Sequence, residues 1–282
     1  MTSILPDYLG VVRSCLGKDQ SVQVQVAGDM DSMARHMANA MLDEIEHAQS
    51  AGRSVTMIVP VGPVDQFPIL AGMINEKQID CRDVMIINMD EYLTDDDQLL
   101  GLDHPLSLLG YMNRKFYDLV SPALAPISGN RVYPRPDDPA SIAKLIKSRG
   151  GVDVCFGGIG INGHIAFNEP PEPGIEMSVE QFAGLSTRCL DVSRETRAIN
   201  SNTVGGEISI VPKRCVTVGM KEILAANRLR FYCNRPWQAA VVRRVLHGPV
   251  SATCPASLLR IHHDASITVT DFVAEVPDIR LR

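Results

Sequence analysis

Basic charge and paired cysteines are both scarce in this chain. Lys and Arg number 27 against 33 Asp and Glu, which gives a net charge of −6. A protein that mainly binds nucleic acid needs an excess of cations on one face, so we expect no nucleic-acid partner. The seven cysteines are odd in number and scattered, without a CxxC pair. A disulfide framework or a zinc site has a different spacing, and we expect neither.

Long apolar runs are also missing. No uncharged apolar run approaches the roughly 20 residues that span a bilayer, and the start, MTSILPDYLG, lacks the basic and apolar pattern of a signal peptide. We therefore expect a reduced, cytoplasmic chain without membrane contact. Hydrophobic residues make up 45% of the sequence, which is enough for a full core.

Short apolar runs alternate with longer amphipathic segments. Apolar runs predict strands over 22–27, 54–60, 83–89, 152–156, 215–220, 229–233 and 266–270. Helices are predicted over 31–51, 67–75, 104–119, 140–147 and 238–246. The first helix has Met33, Met37, Met41 and Ile45 at every fourth position. This alternation predicts an α/β fold with a single doubly wound, mainly parallel sheet and helices on both faces. No linker or repeat interrupts it, so we expect one domain over residues 1–282.

Three polar segments follow predicted strands, at 60–66, 88–92 and 157–170. Ligands of doubly wound sheets bind at the carboxyl ends of the strands. Because these segments come to one edge of such a sheet, we expect a site there.

The last of these segments, GGIGINGHIAFNEP, holds the strongest chemical signal. Histidine exchanges protons near neutral pH, and glycines let the backbone approach a ligand. We expect His164 to be catalytic and Glu169 to orient its ring. The alternative is a loop histidine that caps backbone groups. The GGIG start is half of a dinucleotide fingerprint, but the segment continues as loop instead of opening a helix, so no nicotinamide cofactor is expected.

Asp90 directly follows the apolar run VMIINM. Burial at a strand end raises the pKa of a carboxyl and makes it a better base, so we expect Asp90 to take part in proton transfer. A solvated acidic loop is the alternative interpretation, and it describes Asp95, Asp96 and Asp97 well.

Five segments resemble, in the same order, motifs of the glucosamine-6-phosphate deaminase/isomerase family. They are NMDEY (88–92), HPLS (104–107), GIGINGHIAFNEP (158–170), ETRAINS (195–201) and VPKRCVTVGMKEILAA (211–226). The resemblance implies a Rossmann-like fold, a reaction on an amino sugar phosphate, and no metal or organic cofactor. It implies that His164 opens the sugar ring with Glu169 as its acidic partner, and that Asp90 shuttles the proton between C2 and C1. It also implies a homo-oligomer.

The chain departs from the family pattern at several positions. Asn162 replaces an Asp beside the catalytic His, and an amide carries no charge. Hydroxyl positions of the phosphate loop have become valine, Asn202 replaces an Arg, and Gln238 or its neighbour Arg235 stands where a Lys is expected. The substrate-binding residues that we expect are Gly62, Pro63, Val64, Glu91, Gly160, Gly163, Asn202 and Gln238.

The partner is therefore a small-molecule sugar or sugar phosphate, and two hypotheses about it remain open. In the first, the anion site is rearranged around Arg235, Arg243, Arg244 or Lys221. In the second, the enzyme takes a sugar with a different or absent phosphate. Two other functions are considered as well: a sugar-lactone hydrolase of the phosphogluconolactonase type, and a sugar-binding module without catalysis.

Overall fold

The computed structural model describes residues 5–62 and 65–280. Its strands are β1 (Gln23–Val26), β2 (Thr56–Val59), β3 (Met85–Asn88), β4 (Asp90–Leu93), β5 (Arg131–Val132), β6 (Val154–Gly157), β7 (Arg188–Asp191), β8 (Arg214–Thr217), β9 (Arg228–Cys233) and β10 (Ala265–Val269). Its α-helices are α1 (Met30–Ser50), α2 (Gln66–Lys77), α3 (Leu108–Met112), α4 (Ser141–Ser148), α5 (Val179–Ala183), α6 (Arg194–Asn200), α7 (Met220–Leu224), α8 (Gln238–His247) and α9 (Asp271–Ala274). None of the described helices combines the length and apolar composition required to cross a bilayer.

The main sheet has seven strands in the order β1-β10-β9-β6-β2-β3-β5. Every neighbouring pair runs parallel. Successive side chains of a strand point to opposite faces, and β2 shows the result: Ile58 joins one apolar cluster while Met57 and Val59 join another. Helices α1 and α2 supply the cluster around Met57, whereas α8 and α9 supply the cluster around Ile58. The predicted doubly wound sheet with helices on both faces is confirmed.

The predicted first helix is confirmed as well. The expected cap, Asp31 or Ser32, was wrong: helix α1 begins at Met30, because Asp29 caps it by accepting a hydrogen bond from the Ser32 N–H at 2.7 Å. The four residues at every fourth position of this helix, Met33, Met37, Met41 and Ile45, are all buried. The predicted helix over 104–119 is shorter, since α3 starts at Leu108 and continues as a π-turn over Asn113–Tyr117.

A second, three-stranded sheet was not predicted. It has the order β4-β8-β7, and both of its pairs run antiparallel. The placement of 215–220 in the parallel sheet was therefore wrong, because an apolar run predicts a strand but not the direction of its partners. The chain leaves the main sheet at Asn88 and enters the small sheet at Asp90. This junction brings the first carboxylate of β4 to the edge where the parallel strands end.

Candidate active site

An open cavity of about 640 Å³ lies where β2, β3, β6 and β9 end. Its walls come from the segments 60–62, 89–92, 158–167, 199–203 and 232–238, with Leu108 added from α3. Each of the three strand-end segments that the sequence singled out contributes to these walls. The segment after β9 was named only through the resemblance, at Arg235 and Gln238, although the same strand-end rule applies to it.

Asn162 determines which nitrogen of His164 carries the proton. The Asn162 Oδ1 accepts the His164 backbone N–H at 3.1 Å, and its Nδ2 donates to Glu169 Oε2 at 2.7 Å. Both contacts require the same orientation of the amide. The same Oδ1 lies 2.8 Å from His164 Nδ1, so this nitrogen must be the donor. The neutral ring therefore keeps Nε2 as its basic nitrogen.

Glu169 lies behind the His164 ring, with Oε2 at 3.5 Å from Nδ1. Burial opposes the ionisation of Glu169. The hydrogen bond and the charge of His164 outweigh this effect, with further hydrogen bonds from Asn162 and Thr196, and lower the pKa of Glu169 to about 2. The Thr196 hydroxyl also lies 3.2 Å from Nδ1. A charged carboxylate is thus held beside the ring, where it stabilises an imidazolium.

Asp90, the first residue of β4, lines the cavity and is only 9% exposed. Burial, with a smaller effect from the charge of Glu91, raises the pKa of Asp90 to about 8. No side chain of the described residues donates a hydrogen bond to its carboxyl group. Asp90 is therefore a buried acid that exchanges its proton close to neutral pH.

Glu91 lies elsewhere, which corrects its expected role in substrate binding. Its Oε1 accepts the N–H groups of Tyr92 and Leu108 at 2.8 and 2.9 Å, and its Oε2 accepts that of Leu109 at 2.6 Å. These contacts hold the start of α3, where Ser107 also caps Gly110 N–H at 3.0 Å. Burial raises the pKa of Glu91, and the hydrogen bonds oppose that rise.

Gly160 and Gly163, two of the four glycines in the segment 157–170, have different tasks. A Cβ atom on Gly160, which lines the cavity, would lie 1.9 Å from the His164 Cε1 atom. Gly163 has a φ of +90°, and a Cβ atom there would lie 2.7 Å from the Cys254 sulfur. Gly163 is not among the described cavity-wall residues. Its conformation and its close approach to Cys254 shape the loop, and its substrate contact stays a prediction.

The segment after β9 supplies Asn234, Arg235, Trp237 and Gln238 to the wall. The Gln238 side chain accepts the Arg235 N–H at 2.7 Å and donates to the Ile159 carbonyl at 2.8 Å. It thereby ties this segment to the loop after β6. Trp237 and Asn234 are wall residues that the sequence-based argument missed.

The other three residues proposed for an anion site are not among the described residues of the cavity wall. Arg243 is fully buried and donates to the carbonyls of Val11, Ala239 and Ala274. Arg244 donates to the Thr253 carbonyl at 2.9 Å, and Lys221 lies in α7. Neither belongs to the described wall. These three expectations are corrected.

Four uncharged residues that were expected to bind substrate remain to be placed, and they divide into two groups. Gly62 and Asn202 line the cavity, and Asn202 Nδ2 donates to the Ile199 carbonyl at 2.9 Å. Pro63 and Val64 lie outside the described residues. Within residues 5–62 and 65–280, no three His, Cys, Asp or Glu side chains form a group suited to a metal ion.

Comparison with known proteins identifies the family. No protein-family model matches the chain. It is 30% identical over 226 residues to the glucosamine-6-phosphate deaminase of Serratia proteamaculans strain 568, covering 77% of this chain and 78% of that relative. The chain belongs to the glucosamine-6-phosphate deaminase family. The deaminase of Porphyromonas gingivalis strain W83 is 29% identical over 255 residues, covering 87% of this chain and 90% of that one.

Solved structures share the deaminase-family fold. A monomeric glucosamine-6-phosphate deaminase matches with a TM-score of 0.77 at 24% identity, over 90% of this chain and all of that one. A 6-phosphogluconolactonase from Thermotoga maritima matches with a TM-score of 0.63 at 13% identity, over 89% and 100% of the two chains. The fold alone does not distinguish the two activities.

Proposed function

We propose that this family member converts a 2-amino-2-deoxy aldose into a ketose and releases ammonia. Glucosamine 6-phosphate, the compound for which its relatives are named, is the reference substrate. The observation that carries the proposal is the presence of two proton carriers, Asp90 and His164, on the wall of one cavity. One is a buried acid with a pKa of about 8, and the other is a histidine whose Nε2 is left basic.

His164 acts on the closed sugar. Its Nε2 takes the proton of the anomeric hydroxyl while the bond between C1 and the ring oxygen breaks, and the ring oxygen then receives a proton. The charged Glu169, held beside Nδ1, stabilises the imidazolium that forms in between. Asn162 keeps the ring in the required tautomer.

Asp90 acts on the open chain. Its ionised form removes the proton from C2, and the electron pair forms a C1–C2 double bond while the C1 oxygen takes up a proton from water, which gives an enolamine. The same carboxyl then returns its proton to C1, and the nitrogen lone pair forms the C2–N double bond of an iminium ion. Water then adds to the imine carbon, and ammonia leaves to give the ketose. A buried carboxyl that accepts no hydrogen bond from the described residues suits this step because its pKa of about 8 keeps both of its forms accessible.

The test is ammonia release from glucosamine 6-phosphate and from glucosamine. Asp90→Asn and His164→Gln should each lower kcat by about 10²- to 10⁴-fold, the usual contribution of one general base. The matched control is Asp95→Asn, in the exposed acidic loop, which should retain activity. Circular dichroism checks that the variants are folded.

A lactonase gives a different result in the same assay. Lactone hydrolysis requires no proton transfer at C2, so Asp90→Asn would leave it largely intact. Faster hydrolysis of 6-phosphogluconolactone than ammonia release, with no dependence on Asp90, would replace the present proposal by a lactonase.

We also propose a single domain over residues 1–282, a cytoplasmic location and a homo-oligomer. The even alternation of strands and helices supports the first, and the sequence pattern and the family resemblance support the others. Light scattering after gel filtration measures the mass, which is 30.8 kDa for a monomer.

A further inference from the structure

Thr196 lies beside His164 and Glu169 but does not belong to the described cavity wall. It is the third residue of α6, and it is only 1% exposed. Ile199 and Asn200, later in the same helix, do line the cavity. Thr196 can therefore affect a ligand only through other residues.

The direct contact between the His164 ring and the Glu169 carboxylate is long. Glu169 Oε2 lies 3.5 Å from His164 Nδ1, whereas N–H···O hydrogen bonds typically measure roughly 2.7–3.2 Å. Asn162 joins the two groups by shorter contacts, since its Oδ1 lies 2.8 Å from Nδ1 and its Nδ2 donates to Oε2 at 2.7 Å. Asn162 is thus one neutral bridge between the ring and the carboxylate.

Thr196 forms a second neutral bridge. His164 Nδ1 is a donor, so the Thr196 hydroxyl oxygen, 3.2 Å away, accepts from it. An ionised carboxylate only accepts, so the hydrogen bond between Thr196 and Glu169 uses the Thr196 proton. The hydroxyl therefore accepts from the ring and donates to the carboxylate at the same time.

Ser193 fixes the direction of this hydroxyl. It caps α6 by accepting the Thr196 N–H at 3.2 Å, and its own hydroxyl donates to Thr196 Oγ1 at 3.0 Å. Thr196 Oγ1 then accepts two hydrogen bonds, from Ser193 and His164, which occupies both of its lone pairs. Its single proton is left for Glu169. The Ser193 N–H also donates to Glu169 Oε1 at 3.3 Å.

We propose that Thr196 is a positioning residue for ring opening. Its hydroxyl keeps Glu169 aligned with His164 Nδ1 and, polarised by the charged carboxylate, stabilises the imidazolium. Only the kinetic part of this inference rests on the proposed function, because the hydrogen bonds exist without a ligand. When Thr196 is lost, Asn162 is left as the remaining neutral bridge.

The kinetics of ammonia release from glucosamine 6-phosphate test this role. Thr196→Val removes the hydroxyl and should lower kcat by about 10- to 100-fold, the usual effect of one hydrogen bond to a charged group. KM should change little, because Thr196 is not a residue of the described wall. Thr196→Ser keeps a hydroxyl and should restore most of kcat. Thr196→Ala should show the same loss as Thr196→Val, and it takes the place of that variant if valine prevents folding.

Thr270→Val is the matched control. Thr270 is also fully buried, and its hydroxyl has no hydrogen-bond partner among the described residues. It follows β10 and does not belong to the described wall. This variant should keep the kcat of the unmodified chain. Circular dichroism and urea unfolding check that all variants are folded.

Nitrogen-15 NMR of the His164 ring tests the hydrogen bonds without turnover. The spectrum of His164→Gln lacks the signals of this ring and thereby assigns them. The unmodified chain, Thr196→Ser and Thr270→Val should share one Nδ1 signal. Thr196→Val should shift that signal, because one of the two acceptors of the Nδ1 proton is lost.

The inference is overturned by an unchanged kcat or an unshifted Nδ1 signal in Thr196→Val. A loss that appears only in KM, or one that Thr196→Ser does not restore, overturns it as well. If the unmodified chain releases no ammonia, the proposed function fails, and the Nδ1 signal alone decides whether Thr196 positions the ring. If ammonia release is normal and Thr196→Val behaves like Thr270→Val, only the present inference fails.

Discussion

At the scale of single residues, Asp90 and Glu91 show how adjacent carboxyl groups acquire different tasks. Side chains of neighbouring strand residues point to opposite faces. Asp90 lines the cavity without a hydrogen-bond partner among the described side chains, whereas Glu91 accepts three backbone N–H groups around α3. Burial raises the pKa of both, but only Asp90 is placed to exchange its proton with a ligand.

The raised pKa of Asp90 predicts how stability depends on pH. Between its ordinary value of 3.8 and its folded value of about 8, the folded state holds a proton that the unfolded state has released. The Asp90 contribution to stability is therefore fully present below about pH 4 and is lost as the pH rises to about 8. Asn cannot ionise, so Asp90→Asn should be more stable than the unmodified chain at about pH 9, by up to roughly 6 kcal/mol for a pKa that rises from 3.8 to about 8.

Urea unfolding at several pH values measures this difference. The two proteins should converge below about pH 3, because Asp90 is then mostly protonated in both the folded and the unfolded state. Asp95→Asn serves again as the control, since Asp95 is exposed and should show no such trend. A constant stability difference between pH 4 and 9 would contradict the raised pKa.

At the scale of elements, the loop between β6 and α5 is built around the His164 ring. The Gly160 N–H donates to the His164 carbonyl at 3.0 Å, and the ring lies over Gly160 so closely that no side chain fits between them. Asn162 and Glu169, from the same loop, hold the other side of the ring. Gly160 is required because of this close contact. A left-handed backbone is not the reason, since the φ of Gly160 does not lie in that region.

Gly160→Ala should therefore displace the ring and reduce kcat. A displacement of about 1 Å in a catalytic group lowers the rate by up to about 10²-fold. The matched control is Gly72→Ala in helix α2, where an added Cβ meets nothing within 4 Å. That variant should keep its activity and gain roughly 0.5–1 kcal/mol of stability from better helix propensity. Equal activity of the two variants would show that the ring is not held by Gly160.

At the scale of the whole molecule, Arg243 joins distant parts of the chain. From α8 it donates to the carbonyl of Val11 near the start, and to those of Val273 and Ala274 in α9. It is fully buried. Its guanidinium thus satisfies carbonyls of three segments at once, away from the cavity.

Arg243→Leu should destabilise the protein without changing catalysis. It leaves several buried carbonyls without a donor, which predicts a loss of about 2–4 kcal/mol in the free energy of unfolding. Arg244→Leu, at the partly exposed neighbour, should lose less than about 1 kcal/mol. Urea titration measures both, and kcat per folded molecule should match that of the unmodified chain. A specific loss of kcat in Arg243→Leu would instead connect this residue to the site.

Those parts of the fold that patterns of consecutive residues specify were predictable from the sequence. The four-residue repeat of α1 and the apolar runs of the parallel strands lie in consecutive residues, and the structure confirms them. Strands β4, β5 and β7 were missed, since they are short and two of them belong to the antiparallel sheet. In the segment after β9, the resemblance indicated Arg235 and Gln238, but Asn234 and Trp237 were missed because the strand-end rule was not applied to this segment.

By itself, the sequence determined the α/β class, the parallel sheet, the family, and the segments at strand ends in which Asp90 and His164 lie. These depend on periodicity and on short motifs, which adjacent residues carry. Only the tertiary structure decided that Glu91 turns to α3, that Arg243 supports the fold, and that Arg235 is the only Lys or Arg on the described wall. Burial, hydrogen-bond partners and the raised pKa of Asp90 arise between residues far apart in the chain, so no local pattern contains them.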